Sequence, residues 1–128
     1  MVITSGQLDE LIAHAREADP SECCGFLKVR DGAVVEVVRA RDSRTWRYGF
    51  EFKMKDLMAI ADAEDEGFEV AIYHSHPRSA AEPSQQDVNM WAWPYLCVIV
   101  SLMDGKGEVR NWRITDGAVS EEALDVAG

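Results

Sequence analysis

Two of the three histidines in the chain lie two positions apart, at His74 and His76. The residues that precede them, Val70 to Tyr73, are all apolar, which predicts a strand inside a β-sheet. Side chains two apart on a strand point to the same face, so both imidazoles would be directed at one point, and Ser75 would face the other way. Two imidazoles that converge in this manner form half of a metal-binding site.

A carboxylate that can complete the site follows at Asp87. Pro77 predicts a turn after the strand, and the small, polar segment that ends at Pro83 is long enough to fold back. Ser84 is expected to cap a short helix whose third residue is Asp87. Two neutral imidazoles and one carboxylate are ligands that zinc prefers, and three protein ligands leave a fourth tetrahedral position open. The pattern therefore predicts a catalytic zinc site.

Amide hydrolysis at such a site also needs a base that accepts a proton from water and returns it to the leaving amine. Glu22 is a candidate, because it begins the apolar segment Cys23 to Val29, where a charged residue would otherwise be poorly placed. From the residues alone, a glutamate at a strand edge with no catalytic role is an equal alternative. Ser84 is a candidate donor to the oxyanion of the intermediate, a role compatible with a helix cap.

The spacing of these residues resembles a known signature. His74, His76, Ser84 and Asp87 match each position of the H-x-H-x7-S-x2-D pattern of the JAMM (MPN+) metallopeptidases. The segment around Glu22 resembles the strand that carries the family's upstream glutamate, and the resemblance assigns that residue the role of general base. The likeness runs from about Ile3 to about Val119, and it is closest to small bacterial members that act on ubiquitin-like sulfur-carrier proteins.

The resemblance implies an α/β or α+β domain with a mixed β-sheet flanked by helices, similar to the cytidine-deaminase-like fold. It also implies one Zn²⁺ per chain and hydrolysis of an amide bond at the C-terminal tail of a ubiquitin-like sulfur carrier, for example to release cysteine. Two alternatives remain open: a JAMM-like module that binds such a partner with little turnover, and a small-amide metallohydrolase that needs no protein partner.

Other catalytic classes fit the chain less well. The H-E-x-x-H helix of zincins and the P-C-x-x-C half of the deaminase signature are both absent. A cysteine hydrolase would need a histidine beside Cys23 or Cys24, and both nearby histidines are expected to bind metal. The three cysteines, of which Cys97 lies in an apolar run, indicate buried thiols rather than disulfides. His14 lies on or near the polar side of its predicted helix and is expected at the surface.

The composition indicates one domain and excludes two classes of partner. A chain of 128 residues is long enough for one domain with its own core. The net charge of −10 argues against nucleic-acid binding, and no apolar run is long enough to span a membrane. Because no signal-peptide pattern is present, a cytoplasmic protein is expected. The domain is predicted to cover residues 1–119, with 120–128 as an acidic tail that frays.

Basic residues are concentrated between Arg39 and Lys55, which contain six of the thirteen lysines and arginines. One interpretation is a solvated loop followed by a helix. The other is a docking segment, since an extended substrate tail can add itself as a strand along an exposed edge. The candidate substrate-binding residues in this segment are Arg44, Trp46, Arg47 and Tyr48.

The remaining elements are predicted from periodicity and turn residues. We expect a helix over Ile3 to Ala18, capped by Thr4, and a hairpin that turns at Asp31 and Gly32. A short strand near Phe50 is expected to precede a second helix. The predicted later elements are a helix over Lys53 to Glu66, a short helix over Ser84 to Trp91, a central strand over Tyr95 to Leu102 and an edge strand over Glu108 to Ile114.

Overall fold

The computed structural model describes the whole chain, Met1–Gly128, as a single α+β domain. It contains three helices: α1 (Ser5–Ala18), α2 (Met54–Asp65) and α3 (Gln85–Met90). The ten strands are β1 (Val2–Thr4), β2 (Cys24–Arg30), β3 (Ala33–Arg39), β4 (Arg44–Trp46), β5 (Gly49–Glu51), β6 (Glu69–His76), β7 (Leu96–Ser101), β8 (Glu108–Thr115), β9 (Ala118–Glu122) and β10 (Asp125–Ala127). None of the helices is long and apolar enough to cross a membrane.

Eight of the strands form one mixed sheet in the order β10-β1-β3-β2-β6-β7-β8-β9. The strand that carries the histidines, β6, lies inside this sheet, antiparallel to β2 and parallel to β7. Strands β9 and β10 lie at opposite ends of the order although only Ala123 and Leu124 separate them. The sheet therefore curls until its two ends approach each other. Strands β4 and β5 form a separate hairpin.

The two long helices pack against opposite faces of the curled sheet. Leu11 and Ala15 of α1 belong to one buried cluster with Tyr73 of β6, whereas Ile60 of α2 belongs to another with Ile72. Side chains alternate along β6, so Tyr73 points towards α1, and the residues before and after it point towards the face covered by α2. Burial on both faces explains why this strand is apolar along its length until the histidines.

Several local predictions are confirmed. The Thr4 side chain accepts a hydrogen bond from the Gln7 backbone N–H at 3.1 Å, and Gln7 Oε1 accepts one from the Thr4 N–H at 2.9 Å, which completes a capping box. Asp31 and Gly32 have φ angles of 52° and 77°, as the tight turn between β2 and β3 requires. All three cysteines are buried and free of disulfides.

Two predictions about the end of the chain are wrong. Strand β8 is not an edge strand, because β9 pairs along it in antiparallel register. Residues 120–128, predicted to fray, instead supply the end of β9 and all of β10, which pairs in parallel with β1. Both added strands are almost wholly exposed, so they lack the apolar alternation by which strands are recognised in a sequence.

His14 is also not a surface residue. It is half-buried, and its Nδ1 lies 2.7 Å from the hydroxyl oxygen of Tyr73, a fully buried side chain of β6. Burial, helped by the positive charge of Arg39, lowers the pKa of His14 to about 4. The polar tip of a large buried aromatic needs a partner, and a helical histidine provides it. Sequence periodicity does not show that pairing.

Candidate metal centre

Three side chains converge at the end of β6. His74 and His76 are buried, and their Nε2 atoms lie 3.2 Å apart. Asp87 Oδ2 lies 3.1 Å from the Nε2 of His74 and 2.9 Å from that of His76. Together they offer one ligand atom each, all within 4.8 Å of one another. The structure therefore brings together the three residues predicted as metal ligands.

Ser75, between the two histidines, fixes β6 to the beginning of β2. It lies on the opposite face of the strand, where its Oγ accepts a hydrogen bond from the Cys23 backbone N–H at 2.7 Å. Its own backbone N–H donates to the Cys23 carbonyl oxygen at 3.1 Å. The residue before Cys23 is Glu22. This paired contact therefore holds the candidate base at a set distance from both histidines.

The third ligand is oriented by the cap of α3. Ser84 Oγ accepts a hydrogen bond from the Asp87 backbone N–H at 3.0 Å, and Asp87 Oδ2 accepts one from the Ser84 N–H at 3.0 Å. This is the predicted capping box, with the carboxylate that faces the histidines as its acidic member. Because the Ser84 hydroxyl oxygen is used as an acceptor, its proton remains available to donate elsewhere.

The donor set fits a zinc ion. His76 Nδ1 lies 2.8 Å from the Ala80 carbonyl oxygen and donates its proton to it, which leaves Nε2 as the ring nitrogen that can bind a metal ion. His74 is held by its ring, which stacks on Phe50 with centroids 5.0 Å apart, while its Nδ1 is buried without a partner. The separations of 2.9–3.2 Å between ligand atoms approach the roughly 3.3 Å expected around a tetrahedral ion with bonds of about 2.0 Å.

The charges of the three groups suit a cation. Burial alone would raise the pKa of Asp87, but hydrogen bonds from His74 and His76 hold it well below its usual value, so the group is ionised. Burial lowers the pKa of His74. Burial would also lower the pKa of His76, but the contacts with Asp87 and the Ala80 carbonyl outweigh it and raise that pKa. The cluster thus attracts positive charge to a buried position.

Glu22 lies beside this cluster. Its side chain is 5% exposed, its backbone N–H donates to the Trp46 carbonyl oxygen at 2.8 Å, and its Oε1 is buried with no hydrogen-bond partner in the protein. Burial raises the pKa of Glu22 to about 8, with Asp87 acting in the same direction and His76 against it. A buried carboxyl group with a free oxygen and a pKa near neutrality is well suited to transfer protons.

The hairpin of β4 and β5 lies between two cavities at the site. One, which we call the apolar cavity, has a volume of about 330 Å³ and includes Asp87 in its wall. The other, which we call the polar cavity, has a volume of about 390 Å³ and includes Glu22 and His76. The apolar cavity is lined further by Trp46, Gly49, Phe50, Glu51, Phe52, Leu57, Gln86, Met90, Trp91 and Trp93, and the polar cavity by Pro20, Arg47, Tyr48, Pro77, Arg78 and Ser79.

The four residues predicted to bind substrate therefore do not line a single cavity. Trp46 lines the apolar cavity, whereas Arg47 and Tyr48 line the polar cavity. Arg44 lines neither, and its guanidinium carbon lies 5.4 Å from the centre of the Trp46 ring. Arg78, which lies two positions after His76, also lines the polar cavity and is not among the predicted site residues.

Comparisons with known proteins identify relatives of this chain. Residues 4–115 match the family described as prokaryotic homologs of the JAB domain. The chain is 35% identical over 134 aligned residues to the CysO-cysteine peptidase of Mycobacterium tuberculosis, with 98% of this chain and 90% of the relative covered.

Solved structures show the same fold. A protein of Desulfitobacterium hafniense, known from a solution structure, superposes with a TM-score of 0.81 at 30% identity, covering 98% of this chain and 92% of the other. A structure described as JAMM, a metalloprotease-like zinc site in the proteasome and signalosome, superposes with a TM-score of 0.61 at 17% identity, covering 100% of this chain and 98% of the other. At that identity the second likeness concerns the fold.

Proposed function

Because this chain belongs to the family of prokaryotic homologs of the JAB domain, we propose that it is a zinc-dependent peptidase. Its substrate in this proposal is an amide bond at the C-terminal tail of a ubiquitin-like sulfur-carrier protein, with release of a residue such as cysteine. The observation that carries the proposal is the convergence of His74, His76 and Asp87 beside the buried, unpartnered carboxyl of Glu22. The relative named CysO-cysteine peptidase supports the kind of substrate.

The roles of the residues follow from their positions. A zinc ion held by His74, His76 and Asp87 would lower the pKa of water to about 7 and polarise the substrate carbonyl. Glu22 accepts one proton from the attacking water and delivers it to the leaving nitrogen, as a new C–O bond forms and the C–N bond breaks. The products are a carboxylic acid and an amine. The Ser84 hydroxyl donates to the oxyanion, a contribution on the order of 3 kcal/mol.

The cavities separate the two halves of the substrate. In the proposal, the narrow end of the carrier's tail lies along the β4–β5 hairpin in the apolar cavity, where Trp46 and Phe50 supply contact area. The leaving residue lies in the polar cavity, where Glu22 can reach its nitrogen. Three buried cysteines without a disulfide favour a reducing compartment, and we place the reaction in the cytoplasm.

The test is a metal-dependence experiment with two matched variants. The probe is a ubiquitin-like sulfur carrier whose Gly-Gly tail is extended by one residue, followed by mass spectrometry. Chelation should abolish cleavage and zinc should restore it. His74→Ala should lose zinc and activity together, because it removes one of three ligands. Glu22→Gln should keep about one zinc per chain and lose about 10²–10⁴-fold in kcat, because only proton transfer is affected.

Each alternative gives a different result. Carrier binding by the zinc-loaded protein without cleavage would identify a binding module. Cleavage of a short tail peptide as fast as the folded carrier would identify a small-amide hydrolase. Full zinc occupancy in His74→Ala, measured by atomic absorption, would overturn the ligand assignment.

A further inference from the structure

The polar cavity contains two guanidinium groups in a molecule whose net charge is −10. Arg78, whose side chain is 70% exposed, forms an ion pair with Asp19 Oδ1 at 3.0 Å and donates to the Pro77 carbonyl oxygen at 3.1 Å, both through Nη1. Arg47, at the turn of the β4–β5 hairpin, lies within 4.0 Å of no carboxylate. The wall of the cavity therefore carries one arginine without a carboxylate partner, Arg47, and a second, Arg78, that is paired with Asp19.

The position of Glu22 indicates which half of a substrate meets these cations. A base that protonates the leaving amine must lie beside that nitrogen. Glu22 lines the polar cavity and not the apolar one. The residue on the nitrogen side of the broken bond therefore enters the polar cavity, within reach of Arg47 and Arg78.

The cavity is also small. Its volume of about 390 Å³ lies near the lower end of the range for small-molecule pockets, about 300–1,000 Å³. It suits one or two residues rather than a continuing folded chain. On a single leaving residue, the group that lies beyond the nitrogen and carries negative charge is its terminal carboxylate. Guanidinium groups bind carboxylates through paired, charge-assisted hydrogen bonds.

We propose that Arg47 and Arg78 bind the free α-carboxylate of the leaving group and thereby restrict the enzyme to tails with a short C-terminal extension that ends in this carboxylate. The inference rests on the proposed function and narrows its substrate class. A tail joined to a lysine side chain within another protein lacks this carboxylate, and so does an internal peptide bond. Arg47 and Arg78 are specificity-determining residues in this proposal, since neither is placed at the reacting atoms.

The test compares two substrates that differ in one functional group. A ubiquitin-like sulfur carrier is prepared with one alanine after its Gly-Gly end, once as the free acid and once as the carboxamide. Alanine is chosen because its side chain cannot bind metal. The zinc-loaded wild type should cleave the acid with a kcat/KM about 10- to 100-fold higher than the amide, the size expected for hydrogen bonds to a charged group.

Four variants and one control locate the effect. Arg47→Gln and Arg78→Gln should each lower the acid-to-amide ratio, mainly through KM for the acid, and the double variant should bring it close to one. Arg47→Lys should retain part of the preference, because it keeps the charge but loses the planar fork. Arg113→Gln is the control, since Arg113 pairs with Glu122 away from both cavities and carries the same charge change; its ratio should match the wild type.

The outcomes separate this inference from the function on which it rests. Zinc-dependent cleavage of acid and amide with equal kcat/KM would overturn the inference and leave the peptidase assignment intact. A preference that persists in the double variant, with the fold verified by circular dichroism, would also overturn it. Absence of cleavage of either substrate by zinc-loaded protein would reject the proposed function, and with it the inference.

Discussion

Glu22 and Asp56 are the two buried acidic residues of the protein, and they differ in whether their carboxyl oxygens have hydrogen-bond partners. The Asp56 carboxylate accepts hydrogen bonds from the backbone N–H groups of Arg41 and Asp42, at 2.7 Å and 2.9 Å. Glu22 has one oxygen with no partner at all. An unsatisfied buried polar group costs free energy, so its retention at a cleft beside three convergent ligands is better explained by chemistry than by stability.

This difference predicts an unusual dependence of stability on pH for the metal-free protein. The pKa of Glu22 is about 8 in the folded state and near 4.5 when unfolded. Between these pH values Glu22 binds more protons in the folded state than in the unfolded state. The stability that protonated Glu22 contributes is therefore fully present below about pH 4.5 and is lost as the pH rises through about 8. The free energy of unfolding of Glu22→Gln, whose side chain cannot ionise, should fall less over this pH range than that of the wild type. At pH 8.5 the variant should be the more stable of the two.

Urea denaturation of both chelated proteins at several pH values between 5 and 9 measures the effect. Glu108→Gln is a suitable control, since Glu108 is an exposed carboxyl on the same fold. Parallel curves for the wild type and Glu22→Gln would show that Glu22 is not desolvated in solution.

At the scale of elements, the long strands and the ligand cluster could be predicted because their signals are local. The apolar run of β6 followed by histidines two apart determines a strand and a shared direction. The Ser84 cap positions Asp87 within a single helical turn. The pairing of β2 with β3 as a hairpin follows from the Asp-Gly turn between them.

What could not be predicted depends on contacts between distant segments. The sequence suggests one short strand in the basic segment, but the structure has two, β4 and β5, as a separate hairpin. The turn of this hairpin sends Trp46 to one cavity and Arg47 to the other. Gly49 of this hairpin lies close to α3, since a Cβ on it would be 3.1 Å from Gln86 Nε2. No periodicity encodes that approach.

Asp56 connects this hairpin to α2, which predicts an effect on substrate binding. Asp56→Asn replaces one acceptor oxygen with an NH₂ group that faces a backbone N–H, so it should destabilise the fold by about 1–3 kcal/mol. Because residues 41 and 42 lead directly into β4, the hairpin should loosen. We expect KM for the carrier to rise more than kcat falls, with zinc content unchanged, as measured by steady-state kinetics and metal analysis.

The control for this prediction is Asp62→Asn, an exposed aspartate on the same helix. It removes the same charge without touching the loop and should behave as the wild type. If Asp56→Asn lowers kcat and leaves KM unchanged, the hairpin does not position the tail.

At the scale of the whole molecule, the exposed strand β10 completes the sheet by pairing with β1 over Val2 to Thr4. Removal of residues 125–128 should cost on the order of 2–4 kcal/mol from lost backbone hydrogen bonds, or roughly 6–20 °C in Tm. Zinc content should be retained, because the ligands lie on β6 and α3. Deletion of Gly128 alone is the control in thermal melts followed by circular dichroism. An unchanged Tm after removal of 125–128 would mean that β10 contributes nothing to the fold in solution.

The closure of the sheet also affects folding during synthesis. Val2 of β1 pairs with Asp125 of β10, which is synthesised 123 positions later. At 5–20 residues per second, a ribosome needs about 6–25 s to supply it. During that interval β3 is the one strand that β1 can pair with, at the single register position of Val2 with Ala33, and the opposite edge of β1 can pair with other chains. We therefore expect nascent chains of this protein to depend on holding chaperones until β10 emerges.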